Sequence, residues 1–170
     1  MTESNNTRKI LAIDPGNIES GFVVLEHDGE KILRVLHKGK VENGDLLARV
    51  YKTPKEWDVA IEMVASYGMA VGAEVFDTCV WIGRFLEAAQ GRRIERILRR
   101  EEKYYLCGNL SAKDSNITQA LVDRFAPGQP NRGKGTKKNP GFFYGFSKDM
   151  WAAMAVGVTY FDKYIRGIQI

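Results

Sequence analysis

The sequence predicts a mixed α/β domain with a five-stranded sheet, in which a three-stranded antiparallel meander is followed by parallel strands and flanking helices. Two observations indicate this class. The N-terminal quarter consists of short apolar runs separated by turn residues, and the remainder alternates helical periodicity with single apolar runs. The length of 170 residues favours one domain over two.

The predicted meander opens the chain. Apolar residues ending at Asp14 predict a first strand, because Pro15 and Gly16 interrupt the run at once. The pair Asp28-Gly29 predicts a tight turn between the second and third strands. The three predicted strands span residues 8–14, 20–26 and 31–38. We therefore expect Asp14 at the tip of the first strand.

Helices and further strands follow in alternation, with bounds set by helical spacing, capping residues and proline or glycine breaks. Helices are predicted at residues 43–52, 73–90, 99–106, 115–125 and 147–165, and strands at 58–64 and 92–98. The helix at 73–90 is apolar around most of its circumference. We therefore expect it to be buried on two sides, either inside one domain or at a subunit interface.

Composition excludes several classes of protein. An apolar share of 44% and a charged share of 27% are typical of a soluble globular chain, not of a collagenous, low-complexity or disordered one. No apolar run approaches the ~20 residues of a membrane span, and the polar start at residues 1–9 does not resemble a secretion leader. Cys79 and Cys107 lack the spacing of a disulfide framework or a zinc site. We expect a cytoplasmic protein without a membrane partner, and its net charge of +4 permits a nucleic-acid partner.

Two segments differ from the rest of the predicted domain. Residues 1–8 are interpreted as a flexible tail before a folded domain at 9–170. Residues 127–141 are acid-free, rich in Gly, Pro and polar residues, and are interpreted as a flexible loop. This loop carries four basic residues that are predicted to contact phosphates: Arg132, Lys134, Lys137 and Lys138.

Three acids lie in apolar surroundings, where a lone carboxylate is unfavourable by several kcal/mol unless it is paired or binds a metal. Asp14 ends the first strand, Glu62 interrupts the fourth, and Asp149 begins the last helix. Singly, Asp14 could begin a turn and Asp149 could favour a helix N-terminus, whereas Glu62 has no evident partner. Together they form a set of oxygen ligands for Mg²⁺ or Mn²⁺, and two such ions ~4 Å apart can promote phosphodiester cleavage.

These residues resemble a known family. The stretches ILAIDPGNIESGFVVLE, DVAIEMVASYG and KDMWAAMAVGV, together with KYYLCGNLSAKDSNITQAL, are similar to the RuvC-type Holliday-junction resolvases of the RNase H-like superfamily, and its phage- or virus-borne members in particular. The resemblance covers roughly residues 9–165. It implies an RNase H-like fold and a homodimeric, metal-dependent endonuclease that nicks symmetric strands of branched DNA, chiefly four-way junctions.

The resemblance also implies roles for individual residues. Asp14, Glu62 and Asp149 fall on three of the family's metal ligands, so Mg²⁺ is expected, with Mn²⁺ as a substitute and no small-molecule cofactor. Lys103 falls on a catalytic-region lysine, and a second such lysine falls on Lys113 or, in a shifted alignment, on Asp114.

The sequence departs from the family pattern at two positions. Phe146 occupies the place of a fourth acid or histidine, for which Asp114 is a candidate replacement. Ala65 occupies the place of an aromatic residue, and Tyr67 could stack on the junction instead.

The remaining predictions concern surfaces. A basic run with fewer acids than bases is expected to follow the phosphate backbone: Arg92, Arg93, Arg96, Arg99, Arg100 and Lys103. Four aromatic residues are expected in the core: Phe142, Phe143, Tyr144 and Phe146. The resemblance places the helix at 73–90 in a dimer interface, with Val75, Ile82 and Leu86 toward one neighbour and Phe76, Val80 or Phe85 toward the other.

Three alternatives to a junction resolvase remain at this point. One is a different RNase H-like nuclease, acting on flaps or RNA–DNA hybrids. Another is a catalytically inactive junction-binding module, suggested by the missing fourth ligand. The last is a sugar-kinase- or actin-like ATPase, which ranks lowest because the chain is too short for two lobes and has no second phosphate loop.

Overall fold

One mixed five-stranded sheet organises the molecule. The computed structural model describes residues 6–170, so residues 1–5 of the predicted tail lie outside the described residues. The strands are β1 (Arg8–Asp14), β2 (Glu19–His27), β3 (Ile32–Glu42), β4 (Asp58–Met63) and β5 (Ile94–Leu98). Their order is β3-β2-β1-β4-β5. The β1–β2 and β2–β3 pairs are antiparallel, and the β1–β4 and β4–β5 pairs are parallel.

Five α-helices flank this sheet. They are α1 (Asn43–Lys52), α2 (Ala73–Ala88), α3 (Arg99–Cys107), α4 (Asp114–Phe125) and α5 (Lys148–Tyr160), and a π-helical segment (Phe161–Ile165) follows α5. The helix predicted at 147–165 is therefore an α-helix that widens into a π-helix near its end. No helix among the described residues combines the length and apolar character that a membrane span requires.

The core has two layers, one on each face of the sheet. On one face, apolar residues of β1, β2 and β4 pack against α1 and α2. On the other face, α4 and α5 pack against the sheet, and α3 contributes partly buried residues. Helix α5 is the most deeply buried of the helices, because every residue from Ala153 to Tyr160 is buried. This burial fixes the position of its first turn relative to β1 and β2.

The prediction for the two sides of helix α2 is wrong at Ile82 and Phe85. Ile82 and Phe85 are buried in the core of this chain, so they cannot face a partner subunit. Helical periodicity places them on the same face as the buried Thr78, toward the sheet. Phe76 and Val80 are instead 63% and 62% exposed.

The segment predicted as a flexible basic loop has a defined backbone path. The N–H of Gly141 donates to the Lys134 carbonyl at 3.0 Å, and the N–H of Phe143 donates to the Gly133 carbonyl at 2.8 Å. These bonds close the loop on itself beside the buried Phe143 ring. Its mobility remains a prediction.

Two other sequence predictions are corrected by burial. Arg92 does not belong to an exposed basic face: it is buried, and its guanidinium donates to the carbonyls of Thr53 at 3.1 Å and Ala88 at 3.2 Å. It joins the end of α2 to the segment after α1. Among the four predicted core aromatics, Tyr144 is 41% exposed, because the chain turns outward there.

Helix α5 approaches the sheet closely at Gly157. A Cβ atom at this position would lie 2.7 Å from Leu25 Cδ1 and 3.0 Å from Ala12 Cβ, and both of these residues are fully buried. Gly83 on α2 is the matched contrast, since no atom would lie within 4 Å of an added Cβ there.

We predict opposite effects of alanine at these two helical glycines. Both substitutions gain helix propensity, but only Gly157→Ala overpacks the core. Gly157→Ala should therefore be less stable than Gly83→Ala by about 1–3 kcal/mol in urea unfolding. Equal stability of the two variants would show that α5 does not rest on the sheet at Gly157.

Candidate active site

Two acidic side chains lie next to each other where β1 and β4 end. In the parallel β1–β4 pair, Ile13 pairs with Ile61, so the next residue of each strand is an acid, Asp14 or Glu62. Adjacent strands place paired side chains on the same face of the sheet. The two carboxyl groups lie close enough that each changes the pKa of the other.

Asp149 reaches the same place from the first turn of α5. On the other side of β1, Asp14 pairs with Gly21 of β2. An added Cβ at Gly21 would lie 2.5 Å from the backbone oxygen of Asp149 and 2.9 Å from its Cβ. The absence of a side chain at Gly21 therefore allows Asp149 to pack directly on β2, next to Asp14.

All three predicted acids line one cavity of about 440 Å³. Three cationic side chains, those of Arg99, Arg132 and Lys148, also line it. The cavity thus combines buried negative charge with nearby positive charge. Such an arrangement can bind a phosphate group next to carboxylate ligands.

The pKa values of Asp14 and Glu62 lie well above those of ordinary carboxyl groups. Burial, followed by the nearby Glu62 carboxyl, raises the pKa of Asp14 to about 8. Burial, followed by the charge of Glu102, raises the pKa of Glu62 to about 7. Both shifts have the same physical origin, since negative charge is confined away from water with too little positive charge beside it. A bound cation would supply that charge.

Glu102 is a buried acid that the sequence reasoning missed as part of the site. It is fully buried on α3, and burial raises its pKa to about 8 even though Arg99 opposes that shift. Arg99 donates hydrogen bonds to both Glu102 and Asp114. Glu102 therefore helps to fix the guanidinium of Arg99 at the cavity wall. The available signal was the Arg99–Glu102 spacing of one helical turn, which also occurs in ordinary surface pairs.

Asp149 has a positively charged partner. Its Oδ2 lies 3.1 Å from Lys40 Nζ, which also lies 3.7 Å from an oxygen of Glu19. Among residues 6–170, no three Asp, Glu, His or Cys side chains are already arranged as a metal-binding group. The donors nevertheless fit a hard divalent cation, because the Asp14–Glu62 pair offers only oxygen atoms and lacks a full countercharge. Asp149 could join the two by leaving Lys40.

The two predicted lysines lie outside this cavity. Lys103 is half-buried on α3, and Lys113 is the N-cap residue of α4, where its N–H donates to Asn116 Oδ1 at 2.9 Å. The cavity is lined instead by their neighbours Arg99 and Asp114. Asp114, considered as a replacement fourth ligand, is paired with Arg99. Phe146, in the usual place of that ligand, is buried in the core.

Tyr67 lies beside the site and not in it. It is 62% exposed with a φ of +49°, and it lines a neighbouring cavity of about 240 Å³ that shares Glu62 and Arg99 with the first. A left-handed φ at a non-glycine residue is uncommon and is often found at functional positions.

The other predicted DNA-binding residues differ in their exposure and in whether they line the active-site cavity. Arg132, which has a left-handed φ of +54°, lines the active-site cavity. Arg100 is exposed on α3, Lys134 is half-buried, and Lys137 and Lys138 are exposed. These four residues do not line the cavity.

The strand order, the mixed strand pairing and the flanking helices define an α/β domain with an RNase H-like fold. No model of a protein family and no curated protein matches the sequence. Similar solved structures include Thermus thermophilus RuvC, and T. thermophilus RuvC in complex with Holliday junction substrate. Each is 21% identical to this chain, with a TM-score of 0.68, over 94% of this chain and 96% of the RuvC chain. The chain therefore has the fold of RuvC, and the predicted fold class is confirmed.

We predict that Asp14→Asn stabilises the metal-free protein in a pH-dependent manner. Because the pKa of Asp14 is about 8 in the folded state and 3.8 ordinarily, the folded state keeps a proton that the unfolded state releases. Stability therefore falls as pH rises between these values. The variant should gain at least about 3 °C in Tm at a pH of about 8, and little at a pH of about 4.

Asp77→Asn, at an exposed position on α2 that lines neither cavity, serves as the control and should show no such gain. Thermal unfolding in the presence of a chelator measures both variants. Equal changes in Tm at the two pH values would contradict the burial of an ionisable Asp14.

Proposed function

We propose that this protein is a metal-dependent endodeoxyribonuclease of the RuvC type, which resolves four-way DNA junctions and related branched DNA by paired nicking. The observation that carries the proposal is the half-buried Asp14–Glu62 carboxyl pair, joined by Asp149 in one cavity with a cationic wall. The fold adds support, since T. thermophilus RuvC shares it and has been solved with Holliday junction substrate.

Asp14, Glu62 and Asp149 are the proposed ligands of Mg²⁺, with Mn²⁺ as a substitute. When bound, the metal supplies positive charge that activates water and stabilises the charge developing on the phosphate. The raised pKa values of Asp14 and Glu62 support this assignment, because metal binding favours the ionised carboxylates. Asp149 would hold the metal in place of the Lys40 ammonium group with which it is paired.

Cationic side chains of the cavity hold the scissile phosphate. Arg99, Arg132 and Lys148 line the cavity and can donate to phosphate oxygens. Glu102 and Asp114 orient Arg99, so the guanidinium is held in place before DNA binds. In this arrangement Arg99 offsets the charge on the phosphate, and Lys103 and Lys113, the predicted catalytic-region lysines, lie outside the cavity.

The remaining basic residues contact DNA farther from the cleaved bond. Lys103, Lys113, Arg100, Lys134, Lys137 and Lys138 are proposed to bind the phosphate backbone of the junction arms. Tyr67 is proposed to stack on a base at the junction, because its ring is exposed next to Glu62.

A homodimer is proposed to bring two active sites to one junction. Phe76 and Val80 on α2 are largely exposed apolar side chains, and the half-buried Val75 and Leu86 lie on the same helix. Such a surface fits a two-fold interface, in which the same patch of both subunits meets. A junction nuclease of this kind acts in the cytoplasm, that of a bacterial host if the protein is phage-encoded.

An inactive junction-binding module is the second candidate. Two observations favour it: Phe146 is buried where a fourth ligand is expected, and Asp149 is paired with Lys40. A cleavage assay separates the two candidates.

We predict that the purified protein nicks a synthetic four-way junction in the presence of Mg²⁺ or Mn²⁺. Asp14→Asn and Glu62→Gln should each lower the cleavage rate by at least about 100-fold, because each removes a charge that the transition state requires. Junction binding, measured by gel shift in Ca²⁺, should remain. Asp77→Asn is the matched control and should cleave like the wild type.

Other substrates test the specificity of the proposal. Y-shaped DNA, a flap and an RNA–DNA hybrid, assayed in parallel, should be cleaved more slowly than the junction. Faster cleavage of the flap or hybrid would assign a different RNase H-like nuclease. Junction binding without cleavage in either metal would assign the inactive module.

We also predict that Gly21→Ala impairs cleavage without unfolding the protein. The added methyl group would lie 2.5 Å from the backbone oxygen of Asp149 and displace the first turn of α5. A displacement of about 1 Å at a catalytic group can cost about 100-fold in rate. Gly44→Ala, where an added Cβ meets no atom within 4 Å, is the control. A wild-type cleavage rate in Gly21→Ala would show that cleavage does not depend on the position of Asp149.

A further inference from the structure

An apolar pit lies on the opposite face of the sheet from α4 and α5. Leu11, Phe22, Val24 and Leu46, all nearly buried, line it together with Trp57. Its volume is about 240 Å³. A cavity of ~150 Å³ already accepts a benzene-sized group, so one bulky apolar side chain fits here.

The rim of this pit is positively charged. The titratable side chains that line the pit are all basic: the exposed His37, Arg49 and Lys52. Lys9 lies outside the pit, with its ammonium group 5.8 Å from the centre of the Trp57 ring, in a neighbouring cavity that Glu56 also lines. An apolar pit inside a basic rim is complementary to an apolar side chain flanked by carboxylates.

The pit is separate from the proposed active site. No residue lines both cavities. The pit belongs to the core layer beneath α1, whereas the active-site cavity is lined by residues of α4 and α5. A ligand in the pit therefore does not compete with DNA for the carboxylate site.

We propose that this pit is a docking site for an acidic peptide segment of a partner protein, with a bulky apolar residue as the anchor. A peptide matches both features of the surface, since its apolar side chain fills the pit and its carboxylates meet Arg49 and Lys52. Apolar concavities with polar rims are typical protein-interaction sites.

Single-stranded nucleic acid fits the pit less well. The guanidinium of Arg49 lies 5.3 Å from the centre of the Phe22 ring and Lys9 lies over Trp57, so cations already cover the aromatic faces that a base would need. Thr53 offers no free hydroxyl proton to a base edge, because its Oγ1 donates to the Arg49 carbonyl at 2.9 Å. The phosphate backbone alone would use the rim and leave the pit empty.

The experiment is a ¹⁵N NMR titration of the full chain in Mg²⁺. The first probe is a synthetic peptide with three aspartates on each side of a Leu-Phe pair. Control peptides carry lysines in place of the aspartates, or a Ser-Ser pair in place of Leu-Phe, and an oligothymidine tests nucleic acid. The acidic Leu-Phe peptide should shift the Trp57 indole and Leu46 amide signals with a Kd of about 1 mM or tighter.

Two variants locate the binding. Arg49→Glu combined with Lys52→Glu should weaken binding of the acidic peptide by about tenfold and leave junction cleavage unchanged. Lys31→Glu, at an exposed position that does not line the pit, should bind like the wild type. Absence of shifts with the acidic peptide would overturn the proposal. So would equal binding of the lysine peptide, the Ser-Ser peptide or oligothymidine at Trp57.

Discussion

The parallel pairing of β1 and β4 is the constraint on which the site depends. It sets Asp14 and Glu62 side by side at the ends of two buried strands, where burial raises the pKa of both, and the Glu62 carboxyl raises that of Asp14 further. Such a pair opposes folding at neutral pH. Its presence at the ends of two buried strands therefore points to a function that needs concentrated negative charge.

Much of the surrounding structure positions or compensates these acids. Gly21 lets the first turn of α5 pack beside Asp14, and Gly157 lets the same helix rest on the sheet two turns farther on. Lys40 holds Asp149, and Arg99 lies between Glu102 and Asp114. These cations partly neutralise the carboxylates, so the domain can fold before a metal binds.

Local sequence signals located each strand and helix, although β3 continues to Glu42, four residues past its predicted end. They also singled out the three acids that line one cavity. Asp14 and Glu62 could be recognised because each interrupts or ends an apolar run, which is a local feature. Glu102 could not be recognised from the sequence, because it lies in a charged helix, where a solvated acid would show the same pattern. Only tertiary packing buries it. The Arg99–Asp114 pair joins two helices and leaves no trace in periodicity. Likewise, periodicity could not tell which apolar side of α2 faces the core, so Ile82 was misassigned.

The most direct test is to soak crystals of the protein in Mn²⁺ and to locate the ion by anomalous diffraction. The account predicts a Mn²⁺ peak coordinated by oxygens of Asp14 and Glu62, with the Asp149 carboxylate turned from Lys40 toward the ion. A Mn²⁺ peak elsewhere, or no Mn²⁺ peak beside Asp14 and Glu62 at saturating Mn²⁺, would contradict it.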